Sequence, residues 1–366
     1  MRFFCCTKAP RPDSAPPAPH TTISSSPAIS LAPLRGVTIR EYREAYARRF
    51  GGVDYAVAPF IPTVAGDKVM PKLLKDIAPD AAARPLSGTP PPSLMPTIPQ
   101  LIGKDPAQLR VMASALRGLG FTQMNLNCGC PWKFVAKKGR GSGLPEDELL
   151  FAKMLEAGCA AMPGGFSIKI RLGMKDNATL AKRAALISSF PLKEIIIHPR
   201  TGAQMYEGAV DLDEFERVLP QMKCPVVYNG DIQTPSDAER ILARFPQIAG
   251  IMIGRGIIAD PFLPATIKAR LAASRPQIAA DVAAAPAPAP ATSPPPRDPA
   301  AALDFLRELY ETYRATLCGP SPVLGRMKEL WGFAYVYFNG GLRILRAIQR
   351  AQTLVDYESA IASLRN

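Results

Sequence analysis

The sequence predicts a parallel (β/α)8 barrel, a TIM-type α/β fold, followed by a small C-terminal bundle of helices. Short apolar segments alternate eight times with stretches of helical periodicity, the pattern of a parallel sheet covered by helices. The alternation occupies about 250 residues, the usual size of such a barrel. No G-x-G-x-x-G segment follows the first strand, which disfavours an open dinucleotide-binding sheet.

Each predicted strand is a short, mostly apolar run bounded by turn residues. The eight strands are predicted at Ala28–Pro33, Asp54–Ala58, Thr97–Ile102, Thr122–Leu126, Ser167–Leu172, Glu194–Ile197, Pro225–Tyr228 and Gly250–Ile253.

The segments between the strands have helical spacing of apolar residues. Helices are predicted at Ile39–Phe50, Pro106–Leu119, Glu146–Ala157, Thr179–Phe190, Leu212–Met222 and Pro235–Phe245. Four of the helices have a candidate N-cap side chain, namely Thr38, Asp105, Asp211 and Thr234.

Proline- and alanine-rich segments divide the chain into four predicted parts. We expect a disordered tail at 1–27, a barrel at 28–275, a semi-rigid linker at 276–299 and a helical domain at 300–366. A proline-rich patch, Pro85–Pro96, predicts a surface loop inserted in the barrel. The last part has apolar residues at helical spacing and glycine-containing turns, at Leu303, Leu306, Leu309, Tyr310, Gly319, Gly340, Leu342, Leu345 and Ile348.

Composition restricts the classes of function. Lys and Arg number 44 against 31 Asp and Glu, and the formal net charge of +13 favours a polyanionic partner. No apolar run approaches the roughly 20 residues that span a bilayer, so we expect a cytoplasmic protein without a membrane role. The seven cysteines form neither a disulfide framework nor a metal-ligand spacing, so we expect free thiols and no metal.

Polar residues recur at the carboxyl ends of the predicted strands, where a barrel of this type has its active site. Burying so many polar groups without partners is costly, and we therefore interpret them as a binding site. The set comprises Pro33, Gln100, Asn125, Asn127, Cys130, Lys169, Arg171, His198, Arg200, Asn229, Gly230, Asp231, Gly254, Arg255 and Gly256.

Glycines after the seventh and eighth predicted strands indicate a phosphate site. Asn229-Gly230-Asp231 and Gly254-Arg255-Gly256 stand where barrels commonly bind phosphate through backbone N–H groups. Either motif alone is typical of an ordinary turn, but the two on neighbouring strands favour phosphate, and Arg255 adds positive charge.

Two further strand ends present cations or an imidazole to the same region. Lys169 and Arg171 share one face of an otherwise apolar strand, so a cation there needs an anionic or electron-rich partner. A lone histidine is more often structural than catalytic. His198 stands beside Arg200 at a strand end, however, which favours a role in ligand binding.

Cys130 lies just past the fourth predicted strand, between Gly129 and Pro131. A thiol with an ordinary pKa of about 8.5 is mostly protonated at neutral pH and is competent as a general acid. A buried structural thiol is the usual alternative, and it fits Cys128, Cys159, Cys224 and Cys318.

These residues together resemble the tRNA-dihydrouridine synthase family. The resemblance rests on seven segments in the family's order, followed by a similar pattern in the C-terminal helical part, and it covers about residues 28–366. The segments are Leu31-Ala32-Pro33-Leu34-Arg35-Gly36, Gln100-Leu101-Ile102-Gly103, Asn125-Leu126-Asn127-Cys128-Gly129-Cys130-Pro131 together with Lys138-Gly139-Arg140-Gly141-Ser142-Gly143-Leu144, Lys169-Ile170-Arg171, His198-Pro199-Arg200-Thr201, Asn229-Gly230-Asp231 and Gly254-Arg255-Gly256. The helical part adds Arg326-Met327-Lys328 and Trp331.

The resemblance implies reduction of tRNA uridines to dihydrouridine with FMN as cofactor and NADPH as the transient hydride donor. It implies hydride transfer to uracil C6 and protonation of C5 by Cys130, with a monomeric protein binding tRNA. The implied FMN ligands are Pro33, Leu34, Arg35, Gln100, Lys169, His198, Asn229, Gly230, Asp231, Gly254 and Arg255. The implied substrate ligands are Asn127, Arg171, Arg200, Arg326 and Lys328.

Three residues depart from the family pattern: Leu34 replaces a usual methionine, Pro199 replaces a usual glycine, and Arg140 interrupts a glycine-rich loop. Two alternative functions remain open at this point. One is an FMN barrel resembling dihydroorotate dehydrogenase, which acts on a free pyrimidine. The other is an RNA-binding relative without catalysis.

Overall fold

A computed structural model describes residues 26–78, 94–274, 298–362 and 364. Residues 1–25, 79–93, 275–297, 363, 365 and 366 lie outside the described part, and with them most of the predicted tail at 1–27, insertion at 85–96 and linker at 276–299.

All strands of the structure pair in parallel. In chain order they are β1 Ala28–Leu31, β2 Tyr55–Val57, β3 Ile61–Pro62, β4 Thr97–Ile98, β5 Gln100–Ile102, β6 Met124–Cys128, β7 Phe166–Gly173, β8 Ile195–Thr201, β9 Val226–Asn229 and β10 Gly250–Ile253.

The ten strands fill eight positions of a closed barrel, which confirms the predicted fold class. Pro99 alone separates β4 from β5, and this interrupted strand pairs with β2 and β3 on one side and β6 on the other. Pairing continues from β6 through β10, and β10 pairs with β1, which pairs with β2. The interruption follows from chemistry, since Pro99 has no N–H to donate, while its carbonyl accepts a 2.8 Å bond from Asn125 N–H.

Side chains alternate between the inside and the outside of the barrel, as the period of a strand requires. Outward residues such as Ile168 and Ile170 are buried in the large core under the helices. Inward residues form a smaller apolar cluster, comprising Ala32, Val57, Ile98, Ile196, Val227 and Met252. Polar inward residues of the same parity, including Lys169 and Arg171, follow towards the carboxyl ends. The interior is therefore apolar in the middle and polar at the mouth.

The helices lie outside the barrel or after it. They are α1 Arg40–Arg49, α2 Pro106–Gly118, α3 Lys133–Ala136, α4 Glu148–Ala161, α5 Thr179–Ser188, α6 Leu212–Val218, α7 Pro235–Arg244, α8 Arg255–Ala259, α9 Leu263–Ala273, α10 Pro299–Thr316, α11 Pro320–Ala334, α12 Gly341–Arg350 and α13 Leu354–Ala362. Short 3₁₀ turns occur at Pro71–Leu74, Gly141–Gly143, Leu219–Gln221 and Tyr335–Tyr337.

Three of the four predicted N-caps are confirmed and one is wrong. Asp105, Asp211 and Thr234 accept hydrogen bonds from the first turns of α2, α6 and α7. Thr38 caps no helix, because α1 begins one residue later, after Ile39. Its hydroxyl instead donates to the Ala32 carbonyl and accepts from Leu34 N–H, which fixes the loop after β1 at the barrel mouth.

The last four helices pack on the barrel through an aromatic cluster. Phe305 of α10 contacts the rings of Tyr42, Tyr46 and Phe50, with ring centroids 5.2–6.3 Å apart. These rings are largely or wholly buried, and Glu308 on the same helix pairs with arginines of α1 at the edge of the contact. Helix α11 packs on α8. The helical part, which we call the C-terminal module (α10 to α13), is therefore anchored beside β1 and β10.

No helix within residues 26–78, 94–274 and 298–362 combines the length and apolarity needed to cross a bilayer.

Candidate active site

A pocket opens at the carboxyl end of the barrel, where the polar inward side chains were predicted to meet. Thirteen of the predicted site residues line it: Pro33, Leu34, Arg35, Asn127, Cys130, Lys169, Arg171, His198, Asn229, Gly230, Asp231, Gly254 and Arg255. The strand ends of six barrel positions, β1 and β6 to β10, thus converge on one cavity.

Four predicted site residues lie away from the pocket surface. Gln100 and Arg200 are buried below and beside it, with 0% and 2% of their surface exposed. Arg326 and Lys328 belong to the C-terminal module. Arg326 donates to the Gly36 carbonyl at the barrel rim (2.6 Å), and the Lys328 ammonium donates to the Ala351 carbonyl (2.7 Å).

A buried chain of amides supports the Cys130 loop from below. The Asn127 side-chain oxygen accepts from the backbone N–H groups of Gly129 (3.1 Å) and Cys130 (2.8 Å). Its amide nitrogen donates to Gln100, whose own nitrogen donates to Asn125. Asn125 in turn donates to the Ser167 hydroxyl (2.8 Å). Because each amide uses both its donor and its acceptor, the chain fixes the orientation of Asn127 and thereby of the loop.

The Cys130 loop is also held from above and from the side. The Ser142 N–H and hydroxyl both donate to the Cys130 carbonyl (3.1 and 2.9 Å). Arg171, only 3% exposed, donates to the carbonyls of Gly129 (3.0 Å) and Thr201 (2.8 Å). Arg171 therefore ties the loop after β6 to the end of β8. Only part of its guanidinium remains for a ligand.

The environment of Cys130 keeps its thiol protonated. Burial raises the pKa of the thiol, while the Trp132 N–H and the charges of Arg171, Arg35 and Lys169 act in the opposite direction. The thiol is thus neutral at pH 7, and nearby groups stabilise a thiolate once the proton has left.

The other described cysteines differ from Cys130 in position. Cys128 is fully buried on the outer face of β6, as expected for packing, and burial raises its pKa far above the ordinary value. Cys159 and Cys224 are half-buried. For Cys318 the expectation of a buried thiol is wrong, because it is exposed just before α11.

Lys169 presents a cation to the pocket without an acid beside it. Among the described residues its ammonium has no ion-pair or hydrogen-bond partner, and burial together with the Arg171 charge lowers its pKa to about 7. An ammonium held in this way is stabilised by any electron-rich ligand that enters the pocket.

His198 is held neutral in one tautomer. Its Nε2 lies 3.1 Å from a guanidinium nitrogen of Arg200, and because a guanidinium only donates, Nε2 is the acceptor and the ring hydrogen is on Nδ1. Burial and the surrounding cations, Arg171 and Lys169 among them, hold the histidine pKa well below its usual range. Arg200 also binds Asp231, as does Arg255 (2.9 Å), so one carboxylate joins two arginines.

The side of the pocket formed by β9, β10 and β1 is closely packed around glycine. A methyl group at Gly254 would lie 3.3 Å from Ala32 Cβ, and one at Gly256 would lie 2.2 Å from the Ile232 carbonyl oxygen. The glycines therefore bring backbone close to the cavity on this side, next to Arg255.

Three aromatic side chains at the pocket mouth were not among the site residues predicted from the sequence. Phe60, Trp132 and Tyr206 line the opening, and the Tyr206 ring lies 5.3 Å from the Arg171 guanidinium and 5.4 Å from that of Arg255. Trp132 lies two residues after Cys130, and this closeness in sequence could have identified it as a site residue. Tyr206 follows the end of β8 by five residues in an irregular loop, which no periodicity identifies.

The fold and the site together define a barrel enzyme with a cationic pocket and a protonated cysteine at its mouth. A family model described as "Dihydrouridine synthase (Dus)" matches residues 30–292. The chain therefore belongs to the dihydrouridine synthase family, a family of oxidoreductases.

Sequence comparison with individual proteins also finds dihydrouridine synthases. A probable tRNA-dihydrouridine synthase of Rickettsia conorii is 34% identical over 247 residues, 66% of this chain and 69% of that protein. The tRNA-dihydrouridine(16) synthase of Cupriavidus necator is 30% identical over 244 residues, 66% of this chain and 73% of that protein. Among solved structures, morphinone reductase is 12% identical with a TM-score of 0.43, covering 66% of this chain and 85% of that chain.

Proposed function

We propose that this protein uses FMN and NADPH to reduce specific uridines of tRNA to 5,6-dihydrouridine, with Cys130 as the general acid. The observation that carries the proposal is the protonated Cys130 thiol, held by a fixed amide network at the mouth of a pocket with the cation of Lys169. Membership of the family supplies the reaction, and the site supplies residues suited to it.

The residues present fit FMN in their chemistry. The Lys169 ammonium lacks an acid partner among the described residues and suits the pyrimidine edge of a flavin, which gains negative charge on reduction. The Nδ1–H of neutral His198 is a further donor on that side of the pocket. The glycine-lined end with Arg255 suits a phosphate. The proposed set is completed by Pro33, Leu34, Arg35, Asn229, Gly230, Asp231 and Gly254. Gln100 would act beneath the pocket by orienting Asn127.

The reaction divides between the cofactor and the chain. Bound FMN, reduced in turn by NADPH, supplies a hydride for uracil C6. Cys130 holds at Sγ the proton that C5 needs to complete saturation of the bond. The Trp132 N–H and the nearby cations then stabilise the thiolate, which regains a proton before the next turnover because burial keeps its pKa raised.

Substrate binding is proposed to use both the pocket and the basic surface. Asn127 and the free part of Arg171 would contact the uracil, and Arg200 would act through His198 and Asp231. A base in a folded RNA reaches such a pocket only after leaving its stack, so tRNA shape is expected to contribute to recognition. Arg326 and Lys328 would then support the C-terminal module more than contact RNA, since both donate to backbone carbonyls.

The test distinguishes the proposed reaction from the two alternatives, which are reduction of a free pyrimidine and RNA binding without catalysis. Flavin-loaded protein with NADPH is incubated with unmodified tRNA, free uracil or orotate, and products are identified by mass spectrometry. Dihydrouridine in tRNA and no conversion of free pyrimidines is the expected result. Turnover of a free pyrimidine, or RNA binding by a protein that takes up no flavin, would contradict the proposal.

A further inference from the structure

We propose that Trp132 and Phe134, at the mouth of the pocket, form a stacking site for an unpaired nucleobase next to the target uridine. The inference rests on the proposed function, since the base is one of the same RNA. It assigns a ligand class to two side chains for which the reaction at Cys130 has no use.

The two rings are unusually exposed for their size. Phe134 has 74% and Trp132 47% of its surface exposed, and their ring centroids lie 6.1 Å apart at an interplanar angle of 90°. Large apolar side chains grouped at the opening of a site mark a surface that a ligand covers. They stand on and just before the short helix α3, which directly follows the Cys130 loop.

Positively charged side chains surround Trp132 and Phe134, which favours a negatively charged ligand. Lys133, Lys137 and Lys138 are exposed in the same segment. On the other side, the Arg35 guanidinium lies 5.2 Å from the Trp132 ring centroid and 5.9 Å from that of Phe60. Aromatic rings interleaved with cations are the arrangement by which proteins bind single-stranded nucleic acid. A second copy of this chain would oppose like charges across the contact, which disfavours self-association there.

The position of the pair also fits the geometry of the reaction. A target base that leaves its stack deprives its neighbour of a stacking partner, and an aromatic surface at the pocket mouth replaces that partner. The pair also lies near the C-terminal module, because Arg35 beside Trp132 is followed by Gly36, whose carbonyl accepts from Arg326 of that module (2.6 Å).

The first test uses Phe134, which does not line the pocket. Phe134→Ala is expected to raise the Kd for unmodified tRNA about tenfold, while Phe134→Tyr restores binding to within about twofold. Leu149→Ala removes an equally exposed apolar side chain, 76% exposed on α4, and is expected to leave the Kd unchanged. Lys133→Gln should lessen the dependence of binding on salt, which Phe134→Ala should leave intact.

The second test needs no substitution. The chain has two tryptophans, and Trp331 is fully buried in the C-terminal module, so quenching by acrylamide reports on Trp132. Saturating tRNA is expected to shield Trp132 from acrylamide. A Trp132 that stays equally accessible in the RNA complex would overturn the stacking site.

The remaining outcomes separate this proposal from the proposed function. An active enzyme whose Phe134→Ala variant binds tRNA as tightly as the unaltered protein would overturn the stacking site alone. A raised KM for NADPH with unchanged tRNA affinity would assign the rings to the nicotinamide cofactor and overturn it too. Binding of tRNA that Phe134→Ala weakens, but without dihydrouridine formation, would uphold the stacking site and overturn the proposed function.

Discussion

At the scale of single residues, burial in the pocket favours the neutral form of each titratable group that it encloses. Cys130 keeps a proton because burial opposes the thiolate, and Lys169 loses part of its affinity for one because burial opposes the ammonium. His198 stays neutral among four cations. These three states belong together, since each is set by the same low-polarity cavity and the same group of charges.

Lys169 should impose a measurable dependence of stability on pH. Its folded pKa of about 7 is below the ordinary value of 10.5, so between these values the unfolded chain binds more protons and stability rises with pH. The flavin-free protein should therefore gain stability relative to Lys169→Met between pH 7 and 10, with the penalty fully present below pH 7. Urea unfolding at several pH values measures this difference. Parallel stability curves for the two proteins would contradict it.

Gly141 is expected to be essential to the position of Cys130. Its φ is +57°, and an added methyl carbon would lie 2.7 Å from the Cys130 carbonyl oxygen and 2.9 Å from its Cβ. Gly141→Ala should therefore displace the acid and lower turnover by roughly 100-fold with flavin binding retained.

Gly139 supplies the matched control for that substitution. It has a similar φ of +68°, but its nearest neighbour is the flexible Lys104 side chain at 3.6 Å. Gly139→Ala has the same backbone cost, on the order of 1 kcal/mol, without displacing Cys130, so its turnover should stay within about threefold of normal. Equal losses in the two variants would show that backbone strain, and not contact with Cys130, is the cause.

Which residues meet in the pocket was predictable from the sequence, but much of what they contact was not. The alternation of β7 placed Lys169 and Arg171 on one inward face. That Arg171 spans from Gly129 to Thr201 depends on how far the neighbouring loops extend past their strands, which no local pattern encodes. Gln100 illustrates the same limit, since its inward direction was predictable and its depth below the pocket was not.

At the scale of elements, the apolar pattern predicted the positions of the barrel strands correctly, but it predicted the ends of the strands less accurately. The fourth barrel position was predicted at Thr122–Leu126 and observed at Met124–Cys128, because β6 continues with inward Asn127 and outward Cys128. Helices α3, α8 and α9 were not predicted. The first two are four and five residues long, too short for helical periodicity to appear.

Helix α12 carries an expected RNA contact that the sequence did not single out. Arg343, Arg346 and Arg350 are exposed along one side of it, and none forms an ion pair within the part of the chain that the structure describes. Replacing all three by Gln should reduce the slope of log Kd against log salt by about 2, since each lost phosphate contact contributes about 0.7–0.9.

A control with the same loss of charge is available on the barrel. Arg183, Arg244 and Arg270 each already pair with an acidic side chain. Their triple replacement by Gln removes the same three charges and should leave the salt slope nearly unchanged. An equal change in both triple variants would attribute binding to net charge alone.

At the scale of the whole molecule, we propose that the C-terminal module and the barrel form one surface that binds RNA. The aromatic contact of Phe305 with Tyr42, Tyr46 and Phe50 is buried and apolar, so the module is expected to keep its place beside the pocket. The net charge of +13 predicted a polyanionic partner without locating the contact. Among residues 26–78, 94–274 and 298–362, the cations without an acidic partner include Lys169 in the pocket and the arginines of α12.

The most direct test of the central claim is the amount of dihydrouridine that a Cys130→Ala variant forms in unmodified tRNA during a single turnover with reduced flavin. The proposal predicts that the variant binds flavin and tRNA normally and forms dihydrouridine roughly 100- to 10,000-fold more slowly than the unaltered protein. Formation at a near-normal rate would show that Cys130 does not donate the proton, and the proposed mechanism would be wrong.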